Sequence, residues 1–198
     1  MKMTGNTVLI TGGGSGIGRA LAEALHQLGN EVIIAGRRKR HLQAVVEANP
    51  GMEFIELDVR DAKGIAASAK TLIAKYPKLN ILFNNAGIML ADDLSANIDD
   101  DQAVNIVETN LLGPIRLTGA LIEHLKKQEN ALILNNSSIL GYVPLSFVGV
   151  YSATKAAIHS YSLSLRNKLA GTSVRVQEIV PPWVRTELMN SQDQILAM

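Results

Sequence analysis

Tyr151 and Lys155 stand four residues apart in Val150 to Leu169, a stretch with helical spacing, so their side chains share one helix face. An ammonium beside a phenol favours the phenolate. The pair is expected to bring the tyrosine pKa from about 10 toward neutrality and to serve as a general acid/base. Ser138 lies thirteen residues before Tyr151, just past the run ALILNNS. From a strand end its hydroxyl can donate to an oxygen that gains negative charge, as a carbonyl oxygen does when hydride reaches its carbon. Tyrosine and lysine at this spacing also suit a plain solvated helix face, so the weight falls on what else the chain carries.

A second stretch with chemical meaning is Val8 to Gly18, VLITGGGSGIG, in which five glycines join an apolar strand to a helix. Glycine lets backbone N–H groups approach an anion with no Cβ in the way, and a helix beginning near Gly16 points its positive end at the same place. Thr11, Gly12, Ser15, Gly16, Ile17 and Gly18 are therefore candidates for holding a dinucleotide. The glycine spacing, TGxxxGxG, is a longer variant of the GxGxxG turn. A purely structural glycine turn is the alternative. After the next apolar run, EVIIA, comes GRRKR. Where a carboxylate would take the ribose 2′-hydroxyl of NAD, the chain offers Arg37 and Arg38, whose guanidinium groups fit the 2′-phosphate of NADP. NADP(H) is expected ahead of NAD(H), with a solvated basic helix start as the blander reading. Asp58, followed by Val59, can accept from an adenine amino group or form the turn or cap of the next connection.

The elements that position these groups alternate short β-branched runs with longer helical patterns, which is the α/β signature. Strands are predicted at Thr7 to Thr11, Glu31 to Ala35, Met52 to Leu57, Asn80 to Asn84, Ala131 to Ser137 and Ser173 to Val180. Helices are predicted from Gly16 to Leu28, Arg40 to Ala48, Ala62 to Tyr76 and Val150 to Leu169, with one long helix from Asp99 to about Lys127. Right-handed crossovers then give a Rossmann-type doubly wound parallel sheet in three layers (α/β/α), order 3-2-1-4-5-6, with residues 1–198 as a single domain. In such a sheet ligands gather beyond the carboxyl ends of the strands, where Asn84-Asn85-Ala86-Gly87 and Asn136-Ser137-Ser138 also fall.

TGxxxGxG, Asn-Asn-Ala-Gly, Ser138, Tyr151-x-x-x-Lys155 and a late Pro181-x-x-Val184-x-Thr186, in this order and spacing, resemble the classical short-chain dehydrogenase/reductase family from Thr7 to Thr186, in particular its bacterial NADP-preferring members. The resemblance implies hydride transfer between nicotinamide and a small-molecule carbonyl or secondary alcohol, with Ser138, Tyr151 and Lys155 catalytic. It further implies that Asn110 holds a water linking Lys155 to solvent. Asn85, Ala86, Gly87, Tyr151, Lys155, Pro181, Val184 and Thr186 are then expected against the cofactor. The helices Gln102 to Lys127 and Val150 to Leu169 are apolar on more than one side, and in the family they pair, so a homodimer or homotetramer is expected. Two departures stand out. Pro181-Pro182 puts proline where the family usually has glycine, removing a backbone donor. The sequence also stops at Met198, so the substrate-lid region is expected to be incomplete and the usual seventh strand absent.

Composition sets the outer bounds. In 198 residues, 47% hydrophobic and 19% charged content suits one sizeable core, and a net charge of +1 offers no field to collect nucleic acid or an anionic membrane. No apolar run approaches membrane-spanning length, and a chain without cysteine fits a reducing cytoplasm. His26, His41, His124 and His159 are scattered without ligand spacing, so no metal is expected and a surface position is expected for each. Asp92, Asp93 and Asp99 to Asp101 suit a solvated loop and a helix N-terminus better than a calcium site. No GxSxG elbow supports a hydrolase. The competing classes are an NADP-binding sensor on the same fold without turnover, and a structural subunit that binds no dinucleotide.

Overall fold

The computed structural model describes residues 2–184, 186 and 188. Six strands form one parallel sheet: β1 (Thr7–Thr11), β2 (Glu31–Gly36), β3 (Glu53–Glu56), β4 (Leu79–Asn84), β5 (Ala131–Asn136) and β6 (Val174–Ile179), in the spatial order β3-β2-β1-β4-β5-β6. Register puts Leu9 opposite Ile33 on one side and Leu82 on the other, so the apolar middle of β1 meets apolar neighbours throughout. β1 is buried along its whole length, as a parallel strand covered on both faces must be. Alternate residues feed different faces. Leu9, Ile33, Leu82 and Ile133 pack against α3 (Ala62–Lys75) and α5 (Gly113–Leu125), together with Leu169 just past α6 (Gly149–Lys168). Val8, Ile10, Ile34 and Phe83 pack against α1 (Gly16–Gln27) and α2 (Lys39–Ala48) on the other. The result is the three-layer doubly wound α/β fold that the alternation of elements predicts, with helices covering both faces of the sheet.

Strand and helix ends fall within one or two residues of their predicted places, with one internal exception. The long helix expected from Asp99 is three segments: α4 (Asp100–Val107), a π-helical turn at Glu108–Leu112, and α5. Pro114 has no N–H to give the carbonyl of Asn110 four residues earlier, and its ring crowds that carbonyl, so the ladder widens there. Gly113 keeps ordinary helical angles and serves close approach, since a Cβ there would stand 2.9 Å from the Val59 carbonyl oxygen. Asp99 does cap α4, accepting from the Gln102 N–H. Asp61, rather than Asp58, caps α3 through the Lys63 N–H.

Two adjacent asparagine pairs fasten the carboxyl ends of β4 and β5. Asn84 donates to Asn135 Oδ1 at 2.9 Å, and Asn135 donates to Ser162 of α6 at 2.8 Å, both within the core. One residue further on, Asn136 donates to Asn85 Oδ1 at 3.0 Å. Among the described residues no helix is long and apolar enough to cross a membrane.

Candidate active site

The carboxyl ends of the strands open into a cavity of about 810 Å³. Its floor at β1 is the glycine turn. Gly12 has φ +68°, the left-handed region open to glycine, and its N–H donates to the Ala35 carbonyl at 2.8 Å. Gly18 serves close approach: a Cβ there would stand 2.5 Å from the Gly12 carbonyl oxygen and 2.4 Å from Asn85 Nδ2. The first turn of α1 carries no acidic residue, and Ser15 at its N-cap spends no side-chain hydrogen bond on it. These donors therefore face the cavity with the positive end of the helix behind them, the arrangement that suits a phosphate.

Thr11 and Asn85 hold the next strand end in place. Thr11 Oγ1 accepts from both the Asn85 and the Ala86 N–H at 3.0 Å, while Asn85 Nδ2 donates to the Thr11 carbonyl at 2.9 Å. Asn110, in the π-helical turn, fixes the segment that follows. Its Oδ1 accepts from the Ile88 N–H and its Nδ2 donates to the Ile88 carbonyl, each at 2.9 Å, with Thr154 Oγ1 at 3.2 Å. Asn110 thus ties the loop after β4 to α6, using its side chain as a brace.

Ser138 follows β5 and starts a short 3₁₀ turn, Ile139–Gly141, its Oγ accepting from the Leu140 N–H at 3.1 Å. That turn lies flush on α6, since a Cβ on Gly141 would come within 2.8 Å of the Lys155 backbone. Tyr151 and Lys155 are both buried, at 5% and 4% exposure, and the Lys155 Nζ lies 5.5 Å from the Tyr151 ring centre. Lys155 Nζ donates to the Asn136 carbonyl at 2.8 Å. Burial holds the Lys155 pKa down at about 8. Burial also pushes the Tyr151 phenol up, partly opposed by the Ser138 hydroxyl. The expected lowering of the tyrosine by its lysine is not what the geometry shows: burial dominates at Tyr151, and the Ser138 hydroxyl rather than Lys155 opposes it.

Most sequence candidates meet here. Gly12, Ser15, Gly16, Ile17, Arg37 and Arg38 line the cavity at its β1–β2 end; Val59, Asn85, Ala86 and Gly87 its middle; Ser138, Tyr151, Lys155, Pro181, Val184 and Thr186 the rest. Arg38 Nη2 donates to Ser15 Oγ at 3.0 Å, joining the basic segment to the glycine turn. Thr186 sits over the same turn, its Cβ 3.4 Å from where a Cβ on Gly16 would be. Thr11, Gly18 and Asn110 stand behind the wall, as supports. Asp58 forms the turn that the sequence also allowed: its neighbours Leu57 and Val59 line the cavity, and its carboxylate accepts from the Arg60 guanidinium at 2.7 Å and from the Arg60 N–H at 3.0 Å. The adjacent guanidinium holds that carboxylate below its usual range, and Arg37 adds to the effect.

Some residues of the site, Thr109 among them, were not legible as such, whereas Asn136 was placed there by its position at the end of β5. Thr109 and Asn136 line the cavity, and both Thr109 Oγ1 and Asn136 Oδ1 are buried with no hydrogen-bond partner among the described residues. Asp92 is not a solvated loop carboxylate. Its two oxygens accept from the Gly149 and Val150 N–H groups at 2.8 Å, capping the helix that carries Tyr151 and Lys155. The histidines divide. His41 is exposed and lines the cavity, whereas His26, His124 and His159 are half-buried and hydrogen-bonded to Pro50, Leu79 and Glu178. No group of three metal-ligating side chains occurs among the described residues.

These features have counterparts in known proteins. The family profile described as short chain dehydrogenase matches residues 6–196. An uncharacterized oxidoreductase, DltE, of Bacillus subtilis (strain 168) is 44% identical over 193 residues, covering 95% of this chain and 75% of that protein. A short-chain dehydrogenase/reductase of Burkholderia phymatum, solved in complex with NAD, superposes with a TM-score of 0.90 at 28% identity over 97% of this chain and 70% of its own. The closed form of a serine dehydrogenase complexed with NADP+ gives 0.89 at 31% identity, over 96% of this chain and 79% of its own.

Proposed function

The chain belongs to the short-chain dehydrogenase/reductase family of oxidoreductases, and from that premise we propose that it is an NADP(H)-dependent enzyme interconverting a carbonyl compound and its alcohol. The observation that carries the reading is the meeting of Ser138, Tyr151 and Lys155 in one cavity whose other end holds the glycine turn with Arg37 and Arg38. A dinucleotide fits that layout: backbone donors for its phosphates, guanidinium groups for a 2′-phosphate, and unpartnered polar atoms on Thr109 and Asn136 in the wall between. The nicotinamide, when bound, supplies or accepts the hydride.

The chain's own groups handle the oxygen and the proton. As the carbonyl carbon takes hydride, the Ser138 hydroxyl donates to the oxygen that is gaining charge. Tyr151 Oη–H passes its proton to that oxygen, and the C=O becomes an alcohol. The raised pKa of Tyr151 keeps it protonated at neutral pH, the form a proton donor requires. The Lys155 ammonium, fixed by the Asn136 carbonyl, stabilises the phenolate left behind.

Two measurements test this. NADPH should bind on the order of ten- to a hundredfold tighter than NADH, less so at high salt, and Arg37→Asp with Arg38→Ala should reverse the order. Equal binding by the parent at both ionic strengths would refute the cofactor assignment. Tyr151→Phe should retain cofactor affinity while turnover falls by a factor on the order of 10² or more. NADPH binding by a parent that reduces no carbonyl would instead make the chain a nucleotide-binding sensor.

A further inference from the structure

Ionisable side chains are segregated along the cavity. Among the described residues that line it, Arg37, Arg38 and His41 lie at the end of β2 and the start of α2, and Tyr151 and Lys155 lie at the acid/base centre, Lys155 committed to Asn136. Strand order places the loops after β4, β5 and β6 on the far side of the glycine turn from those arginines. There the wall is built from Met89, Leu90, Ile139, Leu140 and Trp183, none of them ionisable. Leu90, Ile139 and Trp183 are 39%, 42% and 55% exposed, on three different loops that converge on the same opening. Single exposed apolar residues are ordinary, but several from separate loops around one cavity mark a binding surface. Asp92, two residues past Leu90, is spent on the α6 N-terminus and offers no polar contact in compensation.

We propose that the substrate of the reaction assigned above is an uncharged aldehyde or ketone carrying an alkyl or aryl body, seated on Leu90, Ile139 and Trp183 with its carbonyl oxygen at Ser138 and Tyr151. The proposal rests on the carbonyl-reducing reading. A carboxylate or sulfonate on that body loses water against apolar side chains and finds no cation there among the described residues, so anionic carbonyl compounds are rejected. An apolar body gains affinity with length, on the order of threefold for each methylene buried.

The test uses ethyl acetoacetate, butyl acetoacetate and acetoacetate, which share one reacting carbonyl. Trp183 is the only tryptophan of the sequence, so its emission reports occupancy of this wall without turnover. With NADPH saturating, kcat/KM should favour the ethyl ester over the acid by about tenfold or more and the butyl ester further by roughly tenfold, with the concentrations that half-saturate the emission change in the same order. Ile139→Arg should cut the ester-to-acid ratio by about tenfold or more. Equal or preferred use of acetoacetate overturns the proposal, and loss of that preference in Arg185→Ala would identify the responsible cation. Esters favoured in turnover with no change in Trp183 emission also overturn it, by removing the body from this wall. Emission that ranks the esters first, with none of the three reduced, leaves the apolar site standing and sinks the carbonyl-reducing reading instead. No response in either measurement refutes both.

Discussion

Lys155 is 4% exposed, and burial brings its pKa from an ordinary 10.5 to about 8. The sign of the consequence follows from proton binding. Between pH 8 and 10.5 the unfolded chain holds a proton on this lysine that the folded chain has begun to release, so stability from this group rises with pH across that window. Below it the folded state carries a buried ammonium at a cost of about 3 kcal/mol, reduced in part by the Asn136 carbonyl. Lys155→Met should therefore be more stable than the parent at pH 7, by about 2 kcal/mol, with the gap closing toward pH 10, while turnover is lost. Denaturant titrations at the two pH values decide it; equal stability at pH 7 would mean that the ammonium is not strained by its place. The pairing of Tyr151 with Lys155 was legible because it is local, four residues along a helix. The direction of the tyrosine shift was not, because burial is set by Met89, Leu140 and Val148 from the loops around α6, which no spacing along α6 encodes. Asp92 is the same lesson at longer range: its partners lie 57 and 58 residues away.

Among the elements, the glycine turn and the π-helical turn do the positioning, and each obeys a local rule visible in the residues. Alanine normally stabilises an exposed helix position relative to glycine by about 1 kcal/mol. Gly18, inside α1, should invert that sign, because a Cβ would meet the Gly12 backbone and Asn85 at the foot of the cavity. Gly18→Ala is expected to lose at least about 2 kcal/mol of stability and to weaken cofactor binding, as read by thermal melts and by titration. A stable variant with unchanged affinity would show that the turn has slack. The helix break at Glu108–Leu112 was foreshadowed by Asn110 and Gly113-Pro114, but its use was not. Nothing in those residues announces Ile88 as the partner of the Asn110 side chain, a contact made only when the loop after β4 meets the π-helical turn.

At the scale of the molecule, topology was the most legible property, since alternating strand and helix patterns under right-handed crossovers leave few arrangements. The same scale holds the assembly expectation. Val104 of α4 and Leu163 of α6 are 48% and 41% exposed, apolar positions on the two helices that pair in the family. We propose a two-fold dimer or tetramer through these faces, and sedimentation at micromolar concentration should show no monomer. Gly119 on α5 has open space where a Cβ would go. Gly119→Ala should add about 0.5–1 kcal/mol, and a loss instead would reveal another subunit's atoms in that space.

The central place of β1 governs how the chain can reach this state. β1 pairs with β2 across a short connection but with β4 only after some seventy residues have intervened, Ile10 meeting Phe83. During synthesis the β1–β2–β3 half can therefore form while the other edge of β1, the apolar TVLIT, still has no neighbour. A chain arrested between α2 and β4 presents a sticky sheet edge, and the nascent protein is most in need of a chaperone during that interval.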